Sequence, residues 1–298
     1  MARPARLHPL NAPGDLSVDD RCIACDTCRQ LAPETFGGAE EAVAFVARQP
    51  RGPADRLRAL QALVSCPVAA IASRSKAGVA EAVASLPVEV APGLFRCGYA
   101  DASSYGATAW LLLRPEGNVL VDSPRFARPL LRRIEALGGA RLMFLTHRDD
   151  VAEHARWREA LGCERILHAR DVTSGTRGVE RRIEGTAPVA LASDLTVIPV
   201  PGHTPGSAAL LAGERYLFTG DHLWADAAGR LEASRAVCWW DWGEQARSMA
   251  RLAAFRFEWV LPGHGRPWRA GAATEAARQV TALADAMGAP AAAAAPWA

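Results

Sequence analysis

The chain has 298 residues, half of them hydrophobic, and a net charge of +2 from 34 Lys and Arg against 32 Asp and Glu. That length allows two domains or one large one with a sizeable core. The even charge balance excludes a strongly basic surface, so neither nucleic acid nor a membrane is expected as a partner. No apolar run is long enough to span a bilayer. Residues 1–10 carry Arg3 and Arg6 with no apolar run behind them, so no export signal is read there. Residues 1–16 are expected as a disordered leader, with His8 solvated in it. A chain kept in the cytoplasm holds its thiols reduced, so patterned cysteines point to a metal or cluster rather than to disulfides.

Four of the 7 cysteines are patterned. Cys22-Ile-Ala-Cys25-Asp-Thr-Cys28 spaces three thiols two residues apart, and Cys66 follows later, directly before Pro67. A tight loop can direct three sulfurs at one iron-sulfur cubane, and a fourth sulfur from elsewhere closes the shell. A structural zinc site on the same cysteines is the alternative, but the uneven spacing and the Cys-Pro pair favour iron and sulfur. Residues 42–47 read as a short strand. Residues 54–64 read as a helix with Leu57, Leu60, Leu63 and Val64 on one face. From the cysteine motif, Leu31-Ala32-Pro33-Glu34 and Ser65-Cys66-Pro67-Val68-Ala69-Ala70-Ile71, this segment resembles single-cluster bacterial-type ferredoxins. The resemblance implies a [4Fe-4S] cluster on Cys22, Cys25, Cys28 and Cys66 in a domain over 17–75. Such a unit is too small to rely on its core, so the cluster should stabilise it.

Arg74-Ser-Lys-Ala-Gly78 has turn composition, and 76–86 is expected as a linker. Strands are then expected at 107–113, 118–122, 165–168, 195–200, 207–211, 216–220 and 259–262. Helices are expected at 129–137, 245–255 and from Asp149 or Asp150 to Gly162, with one of those aspartates as N-cap. Ligand-type residues recur where strands end: His147, then His203 in Pro-Gly-His-Thr-Pro-Gly-Ser, Asp221 in Thr-Gly-Asp-His, and His264 in Leu-Pro-Gly-His-Gly. Loops at one sheet edge would gather them, and the neighbouring glycines let backbone approach a metal.

These motifs, with the strand running into Asp122, resemble the metallo-β-lactamase fold superfamily over 87–270. The fold class implied is α+β, a metallo-β-lactamase αββα sandwich preceded by a small ferredoxin-like α+β domain. Residues 271–298 follow as a helix and an Ala/Pro-rich tail. The resemblance also implies one or two divalent metals, zinc or iron. His203 would be a ligand of the first, Asp221 a bridge and His264 a ligand of the second.

The family's first motif, Thr-His-x-His-x-Asp-His, is altered to Thr146-His147-Arg148-Asp149-Asp150-Val151-Ala152-Glu153-His154. Matching the strand end gives His147 the first histidine's place and Asp149 the second's, and the family's Asp-His pair becomes Val151 and Ala152. Matching the helix start gives His147 the second histidine's place, keeps Asp149 as the family aspartate and puts Asp150 where a histidine belongs. The helix entry expected at 149–152 favours the second. His154 lies four residues after Asp150, so it shares that helix face as a further ligand or hydrogen-bonds a nearby carboxylate. Carboxylates in place of imidazoles favour iron or manganese relative to zinc.

Asp122 reads as structural, His168 likewise, and His222 as a residue beside the site. Cys97, Cys163 and Cys238 read as small buried apolar side chains. The tryptophans at 239, 240 and 242 suit either an apolar pocket, a seat for the cluster module or ordinary packing. Three functions fit. The first is metal-assisted hydrolysis, with Asp221 on the metal and Asp149 or Asp150 orienting water. The second is redox chemistry on a small molecule, fed by the cluster or by a redox partner protein. The third is a redox sensor or scaffold with a degenerate metal site.

Overall fold

The computed structural model describes residues 5–39, 42–272 and 274–289. The chain divides into two compact units, Met1–Leu142 with Ala152–Cys163, and Met143–Val151 with Glu164–Ala298.

The first unit opens with β1 (Leu16–Val18), α1 (Thr27–Leu31), β2 (Phe36–Gly37), β3 (Phe45–Val46), α2 (Gly52–Ser65) and β4 (Ile71–Ser73). β1 pairs with β4 and β2 with β3, both antiparallel. Pro53 suits the first turn of α2, where its missing N–H costs nothing, and the Cys66-Pro67 step stops the helix. α2 turns Ala59, Leu60 and Ala62 onto Leu16, Val18, Phe36 and Val46. Leu57, Leu63 and Val64, expected on the same face, pack against this core partly buried.

Residues 5–16 differ from the expected leader. The His8 N–H donates to Val18 O at 2.8 Å. The Asn11 side-chain amide bonds Val18 on both sides and accepts from Val46 N. His8 is not simply solvated, since its ring stacks on Phe45 with centroids 5.3 Å apart. Side-chain amides thus satisfy edge-strand backbone groups and tie the segment down. Residues 1–4 of that leader lie outside the described residues, as does the tail from 290. The expected linker also carries structure. α3 (Val79–Ala84) follows Gly78, whose φ of 82° turns the chain, and Ala82 joins the same core. Residues 79–84 are thus a packed helix rather than bare linker.

An antiparallel meander completes this unit: β5 (Val88–Ala91), β6 (Leu94–Arg96), β7 (Trp110–Leu112) and β8 (Val119–Val121), each paired with the next. Every residue of β7 and β8 is buried, as in strands covered on both faces. α4 (Arg128–Ala136) buries Leu130 and Ile134. α5 (His154–Leu161) buries Trp157, whose Nε1–H donates to Pro124 O at 2.7 Å.

The second unit begins within β9 (Leu142–Phe144), at Met143; β9, β10 (Glu164–His168) and β11 (Arg181–Ile183) are successive neighbours, β10 and β11 parallel. A six-stranded sheet follows from β12 (Val189–Ala192), β13 (Leu195–Pro199), β14 (Ala208–Ala212), β15 (Tyr216–Gly220), β18 (Trp259–Pro262) and β19 (Trp268–Arg269), in that order. Between them lie the hairpin β16 (Trp224–Ala225) and β17 (Leu231–Glu232), and α6 (Trp242–Leu252); α7 (Glu275–Ala286) closes the unit. Met249, Leu252 and Val280 from the two helices pack on Leu217 and Val260 of the sheet. No helix among the described residues is long and apolar enough to cross a membrane.

Candidate metal centre and cluster site

The loops after β9, β13, β15 and β18 carry His147, Asp149 and Asp150, His203, Asp221 and His264. All six residues belong to the second unit. Two sets of donor atoms close up there: His147, Asp149 and His203, and His147, Asp150 and Asp221. His203 Nε2 lies 3.5 Å from Asp149 Oδ2 and 3.8 Å from Asp221 Oδ2. His147 Nε2 lies 3.9 and 3.8 Å from the same two oxygens. These gaps are too long for good hydrogen bonds. They lie near, and up to about 0.5 Å beyond, the edge of a tetrahedron of ligands about 2.0–2.1 Å from one ion, roughly 3.4 Å.

The imidazoles are aimed from behind. His203 Nδ1 is 2.6 Å from Val237 O, which fixes the proton on Nδ1 and frees Nε2 as a donor to a metal. His147 Nδ1 is held by Thr146 Oγ1 at 3.0 Å. Both Nε2 atoms are buried without a hydrogen-bond partner in the protein. A buried ring nitrogen left this way is costly unless something binds it. His264 Nδ1 sits 2.9 Å from both Asp221 oxygens. A Cβ on Gly263 would come within 2.5 Å of Asp150 Oδ2 and 3.0 Å of Asp221 Oδ1, so only glycine leaves room for this cradle. The residues present fit one or two divalent cations.

Protonation suits the same use. Burial, together with His203, drives the pKa of His147 below the ordinary imidazole range. His203 beside it holds the Asp149 carboxyl below its usual value. Burial disfavours the Asp221 carboxylate, but His264, by charge and by hydrogen bond, and the His203 charge outweigh it and keep that group ionised. Neutral imidazole and ionised carboxylate are the states a metal needs; burial works against the charge on His203, but Asp149, Asp221 and Val237 O raise its pKa, so a metal there must displace that proton.

The structure removes the helix-entry reason for one of the two matches of the altered motif, while Asp150 still stands with His147 and Asp221. α5 begins at His154, with Glu153 as N-cap, not at 149–152. Asp150 is buried and Asp149 is engaged with His203. The Glu153 carboxylate accepts instead from Phe126 N at 2.6 Å. With no helix entry at 149, matching the helix start loses its basis. Asp149 stands with His147 and His203, as matching the strand end requires. His154 opens α5, is buried, and belongs to neither donor set.

Asp171 escaped the sequence reading. It is buried and accepts from Arg148 N at 3.0 Å, Thr204 Oγ1 at 2.5 Å and Gly206 N at 2.8 Å. One carboxylate therefore braces the loops of both His147 and His203. An acid placed shortly after the end of β10 was its only local sign. Asp122 is buried with φ 58°, directly after β8. His168 is structural, with Nε2 2.9 Å from Gly185 O. His222 is fully buried, and burial pushes its pKa down to about 3. Cys97 and Cys163 are buried, whereas Cys238 is partly exposed and its thiol donates to Gly202 O at 3.2 Å. Trp239 and Trp240 are exposed rather than core, with Trp239 6.0 Å from the His203 ring.

In the first unit, Cys22, Cys25, Cys28 and Cys66 line a single cavity, all as free thiols. Ala24 and Asp26, at φ 61° and 63°, fold the loop so that three sulfurs face one way. Backbone N–H groups of Ala44 and Ala70 point at the sulfurs of Cys22 and Cys66, 3.4 and 3.3 Å away. Burial pushes the Cys28 thiol far up, and Cys25 and Cys22 add to it. Four thiolates are unfavourable here without a cationic core to share, which an iron-sulfur cluster supplies.

Comparisons bear on the cluster segment and on the fold of the rest. Residues 18–73 match the family model of the 4Fe-4S single cluster domain of Ferredoxin I. Among solved structures, VMB-1 is 15% identical, covering 67% of this chain and 96% of its own, with a TM-score of 0.52. The DIM-1 metallo-β-lactamase exposed to ceftazidime is 16% identical over 66% of this chain and 95% of its own, TM-score 0.51. TMB-1 is 16% identical over 67% and 96%, TM-score 0.50. A search of curated proteins found no match. At such identities the likeness speaks for the fold alone. Residues 18–73 are thus a single-cluster 4Fe-4S segment of the ferredoxin type, fused to a chain with the metallo-β-lactamase fold.

Proposed function

We propose that this chain is a metal-dependent oxidoreductase acting on a small molecule in the cytoplasm. The cluster on Cys22, Cys25, Cys28 and Cys66 would supply one electron at a time, and iron on His147, Asp149, Asp150, His203, Asp221 and His264 would add redox chemistry at the substrate. One observation carries this: the cradle holds three carboxylates beside three imidazoles, two of the carboxylates in the altered first motif. Hard oxygen donors favour iron or manganese over zinc. An electron carrier on the same chain also has no use in plain hydrolysis. Asp171 keeps the His147 and His203 loops in register, and Gly263 keeps the carboxylates close. A separate redox partner protein would recharge the cluster.

A second reading, metal-assisted hydrolysis, draws support from Asp149. Its side chain is 46% exposed while its carboxylate is held ionised by His203. Such a group can orient a water molecule and take its proton.

Metal analysis of protein purified without oxygen tests the two. The redox reading expects iron beyond the cluster's own share. Zinc alone in the second unit would overturn it. So would a Cys28→Ser variant that turns over substrate at the parent's rate.

A further inference from the structure

Arg96 ends β6, outside the 18–73 segment, and is only 7% exposed. Its Nη2 donates to Gln30 Oε1 and to Thr108 Oγ1, both at 2.8 Å. Both acceptors are neutral. Gln30 lies in α1, two residues after Cys28, so the guanidinium reaches the cluster loop. Burial brings its pKa down to about 10, opposed by the Asp26 carboxylate and the Cys25 sulfur. Arg96 therefore stays charged at neutral pH.

The loop has a second buried guanidinium, Arg29, 4% exposed. That one is paired with Asp26, and its Nη1 donates to the carbonyls of Ala39 and Ala42 at 2.8 and 2.9 Å. Asp26 thus balances Arg29, and Arg96 is the surplus charge. A buried cation on neutral acceptors is unfavourable unless an anion lies near. Beyond Asp26, which Arg29 already engages, the anion that reaches Arg96 is the Cys25 thiolate of the cluster site.

We propose that Arg96 is a fixed positive charge by which β6 raises the reduction potential of the cluster held by Cys22, Cys25, Cys28 and Cys66. On reduction one electron enters the cluster, no proton follows, and one negative charge is added. A cation close by in a medium of low dielectric stabilises that added charge more than it stabilises the oxidised form. The fused sheet thereby tunes a cluster whose ligands all lie in the small segment. This inference rests on the cluster being present and not on the reaction proposed above. Iron and sulfide counts separate loss of the cluster from a shift in its potential.

The test is an anaerobic redox titration of the full-length chain, with dithionite as reductant, followed by visible absorbance and electron paramagnetic resonance. Arg96→Gln, at parental iron and sulfide content, is expected to titrate at a more negative potential, and Arg96→Lys to recover most of the shift. Equal potentials for Arg96→Gln and the parent would overturn the proposal. An Arg96→Lys variant displaced as far as Arg96→Gln would do the same. Should Arg96→Gln not hold the cluster, Arg96→Met is the second neutral variant and carries the same expectation. Cluster retention in Arg96→Lys but in neither neutral variant supports the charge through affinity. Its loss in all three shows that shape matters rather than charge, and refutes the proposal.

Discussion

Replacing Gly263 by Ala tests the metal cradle with one methyl group. The added Cβ would stand 2.5 Å from Asp150 Oδ2 and 3.0 Å from Asp221 Oδ1. Carbon and oxygen settle at about 3.5 Å, so Asp150 must retreat by roughly 1 Å. Metal ligands tolerate displacements of about 0.2 Å. Losing a residue that only orients a ligand already costs about 10–100-fold in metal affinity, and displacing a ligand costs at least that, about 1.4–2.7 kcal/mol. The backbone itself accepts alanine. Gly263 is not among the residues of positive φ, and its N–H bond to Gly220 O at 2.9 Å survives the change.

The expected signature is a crossing. In chelator, Gly263→Ala should melt at the parent's temperature or slightly above, because alanine restricts the unfolded chain by about 0.4–1 kcal/mol. With iron or zinc added, the parent should gain more than the variant, by about 3–10 °C at ~2–4 °C per kcal/mol. Thermal scans with and without metal, and metal content after gel filtration, read both halves. A variant that binds metal within threefold of the parent and shows no crossing would refute the placement of Asp150 and Asp221 around a shared ion.

Three further changes have defined outcomes. Gly106→Ala forces a side chain onto a φ of 87° and to 2.5 Å from Cys25 Cβ; a loss of about 1–3 kcal/mol and poorer cluster uptake are expected by urea titration and iron assay. Cys28→Ser should lose the cluster and melt lower, while Cys163→Ser, also buried but outside the cavity, should keep full iron content. Glu180→Gln removes the negative charge and one of the two oxygens that accept from Arg165 N, Nε and Nη2, at 2.9, 3.0 and 3.0 Å. The Arg165 guanidinium depresses the Glu180 pKa to about 2, so its stabilisation is full above about 4.5 and fades as pH falls toward 2. Because Glu180 is largely solvated, the parent should exceed the variant by only about 1 kcal/mol at pH 7. In denaturant titrations the gap should shrink by pH 3; a gap that widens there would contradict the assignment.

What the sequence disclosed follows the range of the forces involved. The cysteine spacing and the strand-end ligands are local patterns, and the structure brings each group together. β15 and β18 fall where apolar runs had placed them, because continuous buried strands announce themselves. The start of α5 was misplaced because Asp149 and Asp150 look like caps, yet the site holds them. Capping propensity is worth about 1 kcal/mol, and an ion or an ion-like cluster of imidazoles outweighs it. The order of residues 5–16 and the helix at 79–84 went unseen for a similar reason. Asn11, Gln49 and Ala82 find partners that composition cannot reveal. Asp171 was invisible since its partners lie 23, 33 and 35 residues away.

The two sites are built with opposite surplus charge. At the cluster, Arg29 and Arg96 face one carboxylate, Asp26. At the metal cradle, three carboxylates, Asp149, Asp150 and Asp221, converge with imidazoles of which His147 is held neutral and His203 is pushed toward its charged form. Each surplus opposes the charge of the group its donors suit, an anionic cluster in one case and cations in the other. Left empty, each site keeps like charges together at low dielectric, which works against folding. Filling each site converts that repulsion into attraction, so group binding and folding are coupled. Added iron should then stabilise the second unit even when Cys28→Ser has emptied the first. A chain in which chelation and cysteine substitution each left the melting temperature unchanged could not be organised by these charges.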